Sequence, residues 1–309
     1  MKELSIVTSL YKSSVFLDDF VSQCHEVVTS LGIKEWELVM VNDGSPDDSL
    51  AHALTLKDKY PELVVVNLSR NFGHHYALLA GISVSKGSWV MLIDCDLEVK
   101  PEILRKFWQL KEQHTDISRF YGVQDKRKGG FIERVGGSAF YTLYNKLSET
   151  HIHENILTES MMSRQFADEV VRMGDVNLFL EGMFNWVGFK QMPVVWHKTQ
   201  RATKSTYTFR KRVALSLQAV TSFSAYPLRI LFHLGVVVTI CSFLLGLYML
   251  VQKLVMPEYV VSGYTSMIVV ILFSTGIIVL SLGILGIYIE RLFSQTKGRQ
   301  RFIIEHIYE

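Results

Sequence analysis

Two long uncharged stretches constrain this chain more than any other feature. From Ile230 to Gln252 there is no Asp, Glu, Lys or Arg, and Leu234 to Val251 is almost wholly apolar. A second stretch runs from Tyr259 to Ile289 and is most hydrophobic from Met267 onward. About 20 apolar residues in a helix cross ~30 Å of hydrocarbon, and each stretch supplies them. Burial inside a large core is the alternative reading of either run. Basic residues flank the pair: Arg201, Lys204, Arg210, Lys211, Arg212 and Arg229 before it, and Arg291, Lys297, Arg299 and Arg301 after it. The connecting loop sets only Lys253 against Glu258. The positive-inside rule then predicts a multi-pass protein of the inner (cytoplasmic) membrane, with both termini and the N-terminal domain in the cytoplasm. Gly276, Ser281, Gly283 and Gly286 are small enough for close helix approach, compatible with a homo-oligomer without requiring one.

The expected organisation is a catalytic domain over 1–200, a juxtamembrane segment over 201–227, spans over 228–254 and 264–290, and a cytosolic tail over 291–309. Between Tyr207 and Ala225, basic residues alternate with Phe209, Val213, Leu215 and Leu217 at helical spacing. That pattern suits an amphipathic helix on an anionic leaflet, or a solvated helix packed on the domain. Net charge is only +2, so composition points to no nucleic-acid partner. The three cysteines, Cys24, Cys95 and Cys241, spell neither a metal-binding spacing nor a disulfide framework. Met1 to Val7 reads as a first strand, not a secretory leader.

Within the N-terminal domain, apolar runs alternate with helical patterns. Strands are predicted over Leu4–Ser9, Trp36–Val41, Leu63–Leu68 and Trp89–Ile93, and helices over Ser14–Leu31, Ser49–Lys59 and His75–Ser85. This alternation builds an α/β, mostly parallel, Rossmann-like sheet, whose ligands bind beyond the carboxyl ends of the strands. Four such ends carry Ser9-Leu10-Tyr11, Asn42-Asp43-Gly44-Ser45, Ser69-Arg70-Asn71-Phe72-Gly73 and Asp94-Cys95-Asp96. If the chain stays extended, Asp94, Asp96 and Glu98 project to one side while Cys95 points away. Paired carboxylates call for a cation or a proton between them, and Mg²⁺ takes one or two of them together with substrate phosphates. An acidic turn leading into a helix at Pro101-Glu102 is the other reading of the triplet. Asp43 suits a base or ribose, or an Asx turn capping the helix at Ser49. His74-His75 reads as a helix start, because adjacent helical residues diverge and no third ligand is near. There is no Walker or dinucleotide glycine loop.

Taken in order, Ser5-Ile6-Val7, Val41-Asn42-Asp43-Gly44-Ser45, Arg70-Asn71-Phe72-Gly73, Asp94-Cys95-Asp96-Leu97-Glu98 and Pro101-Glu102 resemble glycosyltransferase family 2, in particular its polyprenyl-phosphate branch. The similarity continues through Trp186-Val187-Gly188-Phe189, Arg201 with Ser205 and Tyr207, and Ser222-Phe223-Ser224 with Pro227-Leu228. The resemblance implies a GT-A fold that uses a nucleotide-diphosphate sugar, UDP-sugar foremost, with Mg²⁺ or Mn²⁺. It implies inversion at the anomeric centre, a polyprenyl (undecaprenyl) phosphate acceptor, and a part in cell-surface polysaccharide or lipopolysaccharide biosynthesis. Carried over by position, Ser9, Tyr11, Asp43, Gly44, Ser45, Arg70 and Asp94 would line the nucleotide. Asp94, Asp96 and Glu98 would hold the metal. Arg127, Arg134, Ser138, Arg201 and Ser205 would grip the acceptor phosphate, and Asp94, Asp96, Arg134 and Arg201 would form the catalytic set. Arginine's planar fork suits phosphate, although a helix surface or lipid headgroup also accounts for Arg134 and Arg201.

The departures from the family pattern concentrate in the acceptor half. Thr158 to Arg164 lacks the usual Asp and first Arg, Gln124 stands where Arg is common, and Thr203 and Thr206 replace Gly and Lys. In the donor half, Ser9 and Lys12 replace Pro and Asn, and Glu98 replaces Gln. Two other functions therefore stay open: transfer to a hydroxyl of a lipid-linked saccharide, with Glu159 or Asp168 as base, and non-catalytic nucleotide binding. A processive synthase is disfavoured, since no Gln-x-x-Arg-Trp signature appears.

Overall fold

The computed structural model describes residues 2–124, 155–175, 178–196, scattered positions over 228–251, and 263–309. Its centre is an eight-stranded sheet in the order β7-β5-β6-β4-β1-β2-β3-β8. The strands are β1 (Leu4–Leu10), β2 (Trp36–Asn42), β3 (Leu63–Leu68), β4 (Trp89–Leu92), β5 (Arg119–Gln124), β6 (Ile156–Ser163), β7 (Gln191–Trp196) and β8 (Ile304–Tyr308). β3, β2, β1 and β4 run parallel, whereas β6 is antiparallel to both β4 and β5, and β8 is antiparallel to β3.

The first four strands form where expected because each is an apolar run buried on both faces. On one face, α1 (Leu17–Ser30), α2 (Ser49–Lys57) and α4 (Ile103–Gln113) pack Phe20, Leu56 and Phe107 against Leu38, Met40 and Met91. On the other face, α3 (His74–Val84), α5 (Arg164–Arg172) and α6 (Leu180–Trp186) pack Leu79, Phe166 and Met183 against Val39, Val41 and Val90. The region expected to open a helix at Ser14 begins with a 3₁₀ turn, Ser14–Phe16, before α1.

α7 (Tyr264–Thr296) is 33 residues long and covers the second expected span, running six residues beyond position 290. Its Phe273–Thr296 segment has mean hydropathy 1.9 and no buried share within the protein. Among the described residues it is the one helix long and apolar enough to cross a membrane. Of the first expected span, 228–254, scattered positions from 228 to 251 are described and are helical, and the juxtamembrane segment 201–227 lies wholly outside the described residues.

The tail expected over 291–309 is not a free appendage. In the last turn of α7, Gln295 Nε2 donates to Gly174 O at 3.1 Å, and after the helix Arg301 donates to the carbonyls of Met173 (2.6 Å) and Val171 (2.8 Å). The chain then enters the sheet as β8, where Ser69 N donates to Ile303 O at 3.0 Å. Phe302 and Ile304 pack on one core and Tyr308 on the other.

Candidate active site

The carboxyl ends of β1, β2, β3 and β4 meet as linked loops. Leaving β1, Lys12 adopts a positive φ of 56° and its N–H donates to Ser45 Oγ at 2.8 Å. Ser13 N donates to Ser49 Oγ at 3.0 Å, and Tyr11 remains half exposed. Gly44, φ 56°, lets the β2 loop lie directly on the Arg70–Asn71 backbone, where any Cβ would stand 2.5 Å from Asn71 N.

Asp43 is 2% exposed, and both carboxylate oxygens are engaged: Phe72 N donates to one at 2.7 Å and Gly73 N to the other at 2.9 Å. Its main-chain carbonyl accepts from Asn71 Nδ2 at 3.0 Å. Burial pushes its carboxyl above the usual range, while the two N–H donors and the nearby His74 and Arg70 pull the other way. Asp43 therefore anchors the entrance to α3. At the start of the helix at Ser49, Asp47, one residue before the N-cap Asp48, accepts from Ser49 N and from the hydroxyls of Ser49 and Ser45. Burial raises the Asp47 carboxyl, but those donors outweigh it and hold the group below its usual range. Arg70 stacks its guanidinium on the Phe72 ring, 4.1 Å to the centroid.

β4 stops at Leu92, so Asp94 lies past the strand end and Cys95 and Asp96 sit in a turn. Cys95 is buried, with Sγ 3.6 Å from Ser9 O, while Asp94 and Asp96 are partly exposed. Leu97 takes a positive φ of 58°, and Glu98 N donates to Asp96 Oδ1 at 3.1 Å. Among the described residues no group of three or more His, Cys, Asp or Glu is placed to hold a metal ion, so Glu98 does not complete a three-carboxylate set. Two partly exposed carboxylates flanking a buried thiol are hard oxygen donors. They fit a Mg²⁺ or Mn²⁺ that takes its remaining ligands from substrate phosphates and water.

His74, read from the sequence as a helix start, belongs to the site. Its Nδ1 lies 2.8 Å from Ser9 Oγ and its Nε2 3.6 Å from Asp94 Oδ1. It joins the β1 and β4 ends, a role invisible in sequence because Ser9 is 65 residues away. His75 is half-buried beside Phe179, and desolvation together with His74 pushes its pKa down to about 4.

The five acceptor-side residues, Arg127, Arg134, Ser138, Arg201 and Ser205, lie outside the described residues. The two bases weighed for a hydroxyl acceptor separate clearly. Glu159 is buried on β6, next to Ser160, which pairs with Leu92 near the β4 end. Asp168 faces Arg164 at 3.5 Å, and Arg164 binds Gly87 O at the amino end of β4, the wrong end of the sheet.

A mostly parallel sheet with carboxylates at its strand ends is the GT-A architecture of sugar-nucleotide-dependent glycosyltransferases. Residues 5–171 match glycosyl transferase family 2. The chain belongs to that family and is a glycosyltransferase. It is 33% identical over 312 residues to the prophage bactoprenol glucosyl transferase homolog of Escherichia coli K12, covering 99% of each chain. It is 36% identical to the bactoprenol glucosyl transferase of Shigella phage SfX, covering 88% of each. A solved mannosyltransferase from Pyrobaculum calidifontis, in complex with GDP-Man and Mn²⁺, is a distant likeness at 15% identity. Its TM-score is 0.48, over 71% of this chain and 63% of that one.

Proposed function

We propose that this glycosyltransferase moves one sugar from a nucleotide-diphosphate sugar, UDP-sugar foremost, to polyprenyl (undecaprenyl) phosphate at the cytoplasmic membrane face, for surface glycan synthesis. The observation that carries the reading is the convergence of Ser9, Asp43, His74 and Asp94 at neighbouring strand ends, in a chain matching bactoprenol glucosyl transferases along most of its length.

In this reading a phosphate oxygen of the acceptor attacks the anomeric carbon while its bond to the nucleoside diphosphate breaks, which inverts that centre. The acceptor phosphate is already ionised near neutral pH and needs no strong base. Asp94 and Asp96 would hold Mg²⁺ or Mn²⁺, which neutralises charge on the departing diphosphate. Tyr11, Gly44, Ser45 and Arg70 surround the nucleotide, and Asp43 keeps the loop that bears Arg70 in place. His74 holds Asp94 toward the crevice. Arg127, Arg134, Ser138, Arg201 and Ser205 would grip the acceptor phosphate, and α7 would anchor the enzyme beside its lipid.

Purified protein incubated with a radiolabelled UDP-sugar, Mn²⁺ and undecaprenyl phosphate should yield chloroform-extractable label. Asp96→Asn should lower that yield at least about 100-fold and remove Mn²⁺-dependent nucleotide binding. Absence of extractable label with UDP-glucose, UDP-galactose, UDP-N-acetylglucosamine and GDP-mannose alike would overturn the proposal.

A further inference from the structure

A line of side-chain amides runs across the sheet from the C-terminal strand to the loop after β2. Glu305 Oε2 accepts from Asn67 Nδ2 at 2.7 Å. Asn67 Oδ1 accepts from Asn42 Nδ2 at 2.8 Å, and Asn42 Oδ1 accepts from Ser45 N at 3.2 Å. Asn42 and Asn67 are register partners on β2 and β3. Glu305 enters this line through an irregularity: Asn67 pairs with His306 and Leu68 with Ile304, so Glu305 is an extra residue between them. A bulge of this kind re-aims a side chain, and here it brings Glu305 to Asn67.

The direction of the relay is set at one end. An ionised carboxylate only accepts hydrogen bonds, whereas an amide offers oxygen on one side and NH₂ on the other. Glu305 therefore makes Asn67 present its NH₂ outward and its oxygen to Asn42. Asn42 must then turn its NH₂ to Asn67 and its oxygen to Ser45 N–H. Reversed, Asn42 would set NH₂ against that N–H, two donors facing each other.

We propose that Glu305 is a positioning residue for the nucleotide loop: its carboxylate fixes the polarity of the Asn67–Asn42 relay and thereby orders Gly44–Ser45 for the donor. This rests on the reading of Asp43–Ser45 as the nucleotide loop. It couples the strand that follows α7 to the donor loop through Asn67 and Asn42.

The test measures KM for the UDP-sugar that the enzyme uses, kcat, UDP affinity and Tm on the full-length protein in detergent. Glu305→Lys replaces an acceptor by a donor and should reverse the relay. We expect KM to rise about fivefold, the equivalent of one neutral hydrogen bond, with kcat within about twofold of wild type. Glu305→Gln still offers an oxygen and should behave as wild type. Adding Asn67→Asp to Glu305→Lys gives the new ammonium an acceptor and still accepts from Asn42, so KM should return. A wild-type KM in Glu305→Lys, or a raised KM that Asn67→Asp does not repair, overturns the proposal. If Glu305→Lys does not accumulate, Glu305→Ala carries the test: its KM should rise about two- to threefold, and an unchanged value refutes the relay. Wild-type protein that binds neither UDP nor GDP would instead overturn the nucleotide-loop reading itself.

Discussion

Gly44→Ala should be far more damaging than a single methyl suggests, and the structure gives the size. The new Cβ would lie 2.5 Å from Asn71 N and 2.7 Å from Arg70 C, both backbone atoms that cannot rotate away. The loop must therefore retreat by about 1 Å before the contact becomes ordinary. Such a retreat stretches the bonds from Phe72 N and Gly73 N to Asp43, now 2.7 and 2.9 Å. A hydrogen bond to a charged group is worth about 1.5–3 kcal/mol, and the left-handed backbone costs alanine roughly 1–2 kcal/mol more. Losing one such bond brings the total to about 2.5–5 kcal/mol, or, at roughly 2 °C per kcal/mol in a domain of this size, a fall in Tm of roughly 5–10 °C. Gly32→Ala isolates the backbone part: Gly32 also has a positive φ, 70°, but its Cβ would meet nothing within 4 Å. That variant should lose only about 2–4 °C. Thermal unfolding of both in the same detergent, alongside UDP binding, decides the matter. A Gly44→Ala protein as stable as Gly32→Ala would refute the steric argument and the anchoring role given to Asp43.

Two further predictions concern the scaffold. His75 has a folded pKa of about 4 against 6.5 when free, so the unfolded chain binds its proton first as pH falls. Stability from this group is complete above about pH 6.5 and is lost progressively toward pH 4, by about 3 kcal/mol in all. His75→Phe should flatten the fall in Tm between pH 7 and pH 4.5, and an unchanged slope would discount the desolvated imidazole. Arg119, 1% exposed, is held by Glu181 through two bonds at 3.0 and 2.8 Å and by Gln191 at 2.8 Å. Glu181→Ala leaves that guanidinium buried without its counter-charge and should cost about 3–5 kcal/mol, measured by denaturant titration, whereas Glu169→Ala on the exposed face of α5 should cost under about 1 kcal/mol.

The half of the sheet legible in sequence is the half whose strands are buried on both faces. Val39, Val41, Val64 and Val66 make continuous apolar runs that admit few other readings. β6 was opaque because it buries Glu159 and Ser160 among its methionines, and burial of polar residues depends on neighbours that sequence does not display. β8 was missed for a related reason: its partner β3 lies more than 230 residues away, as the bond between Asn67 and Glu305 shows. In the site, strand-end residues such as Asp43 and Asp94 were found by position alone. The use each makes of its oxygens was not. Asp43 spends its carboxylate on α3, and His74, which does open α3 as the sequence indicates, also reaches Ser9 and Asp94.

The docking of β8 onto β3 has a consequence for how the polypeptide meets the bilayer. The chain leaves the sheet at Trp196 and rejoins it at Ile304, so both ends of the intervening excursion are sewn into one rigid body. A closed excursion can only traverse a membrane an even number of times. Reading α7 as a crossing would therefore call for an even number of crossings in the excursion, and a protease-protection or cysteine-labelling assay on sealed vesicles that found only one would overturn that reading.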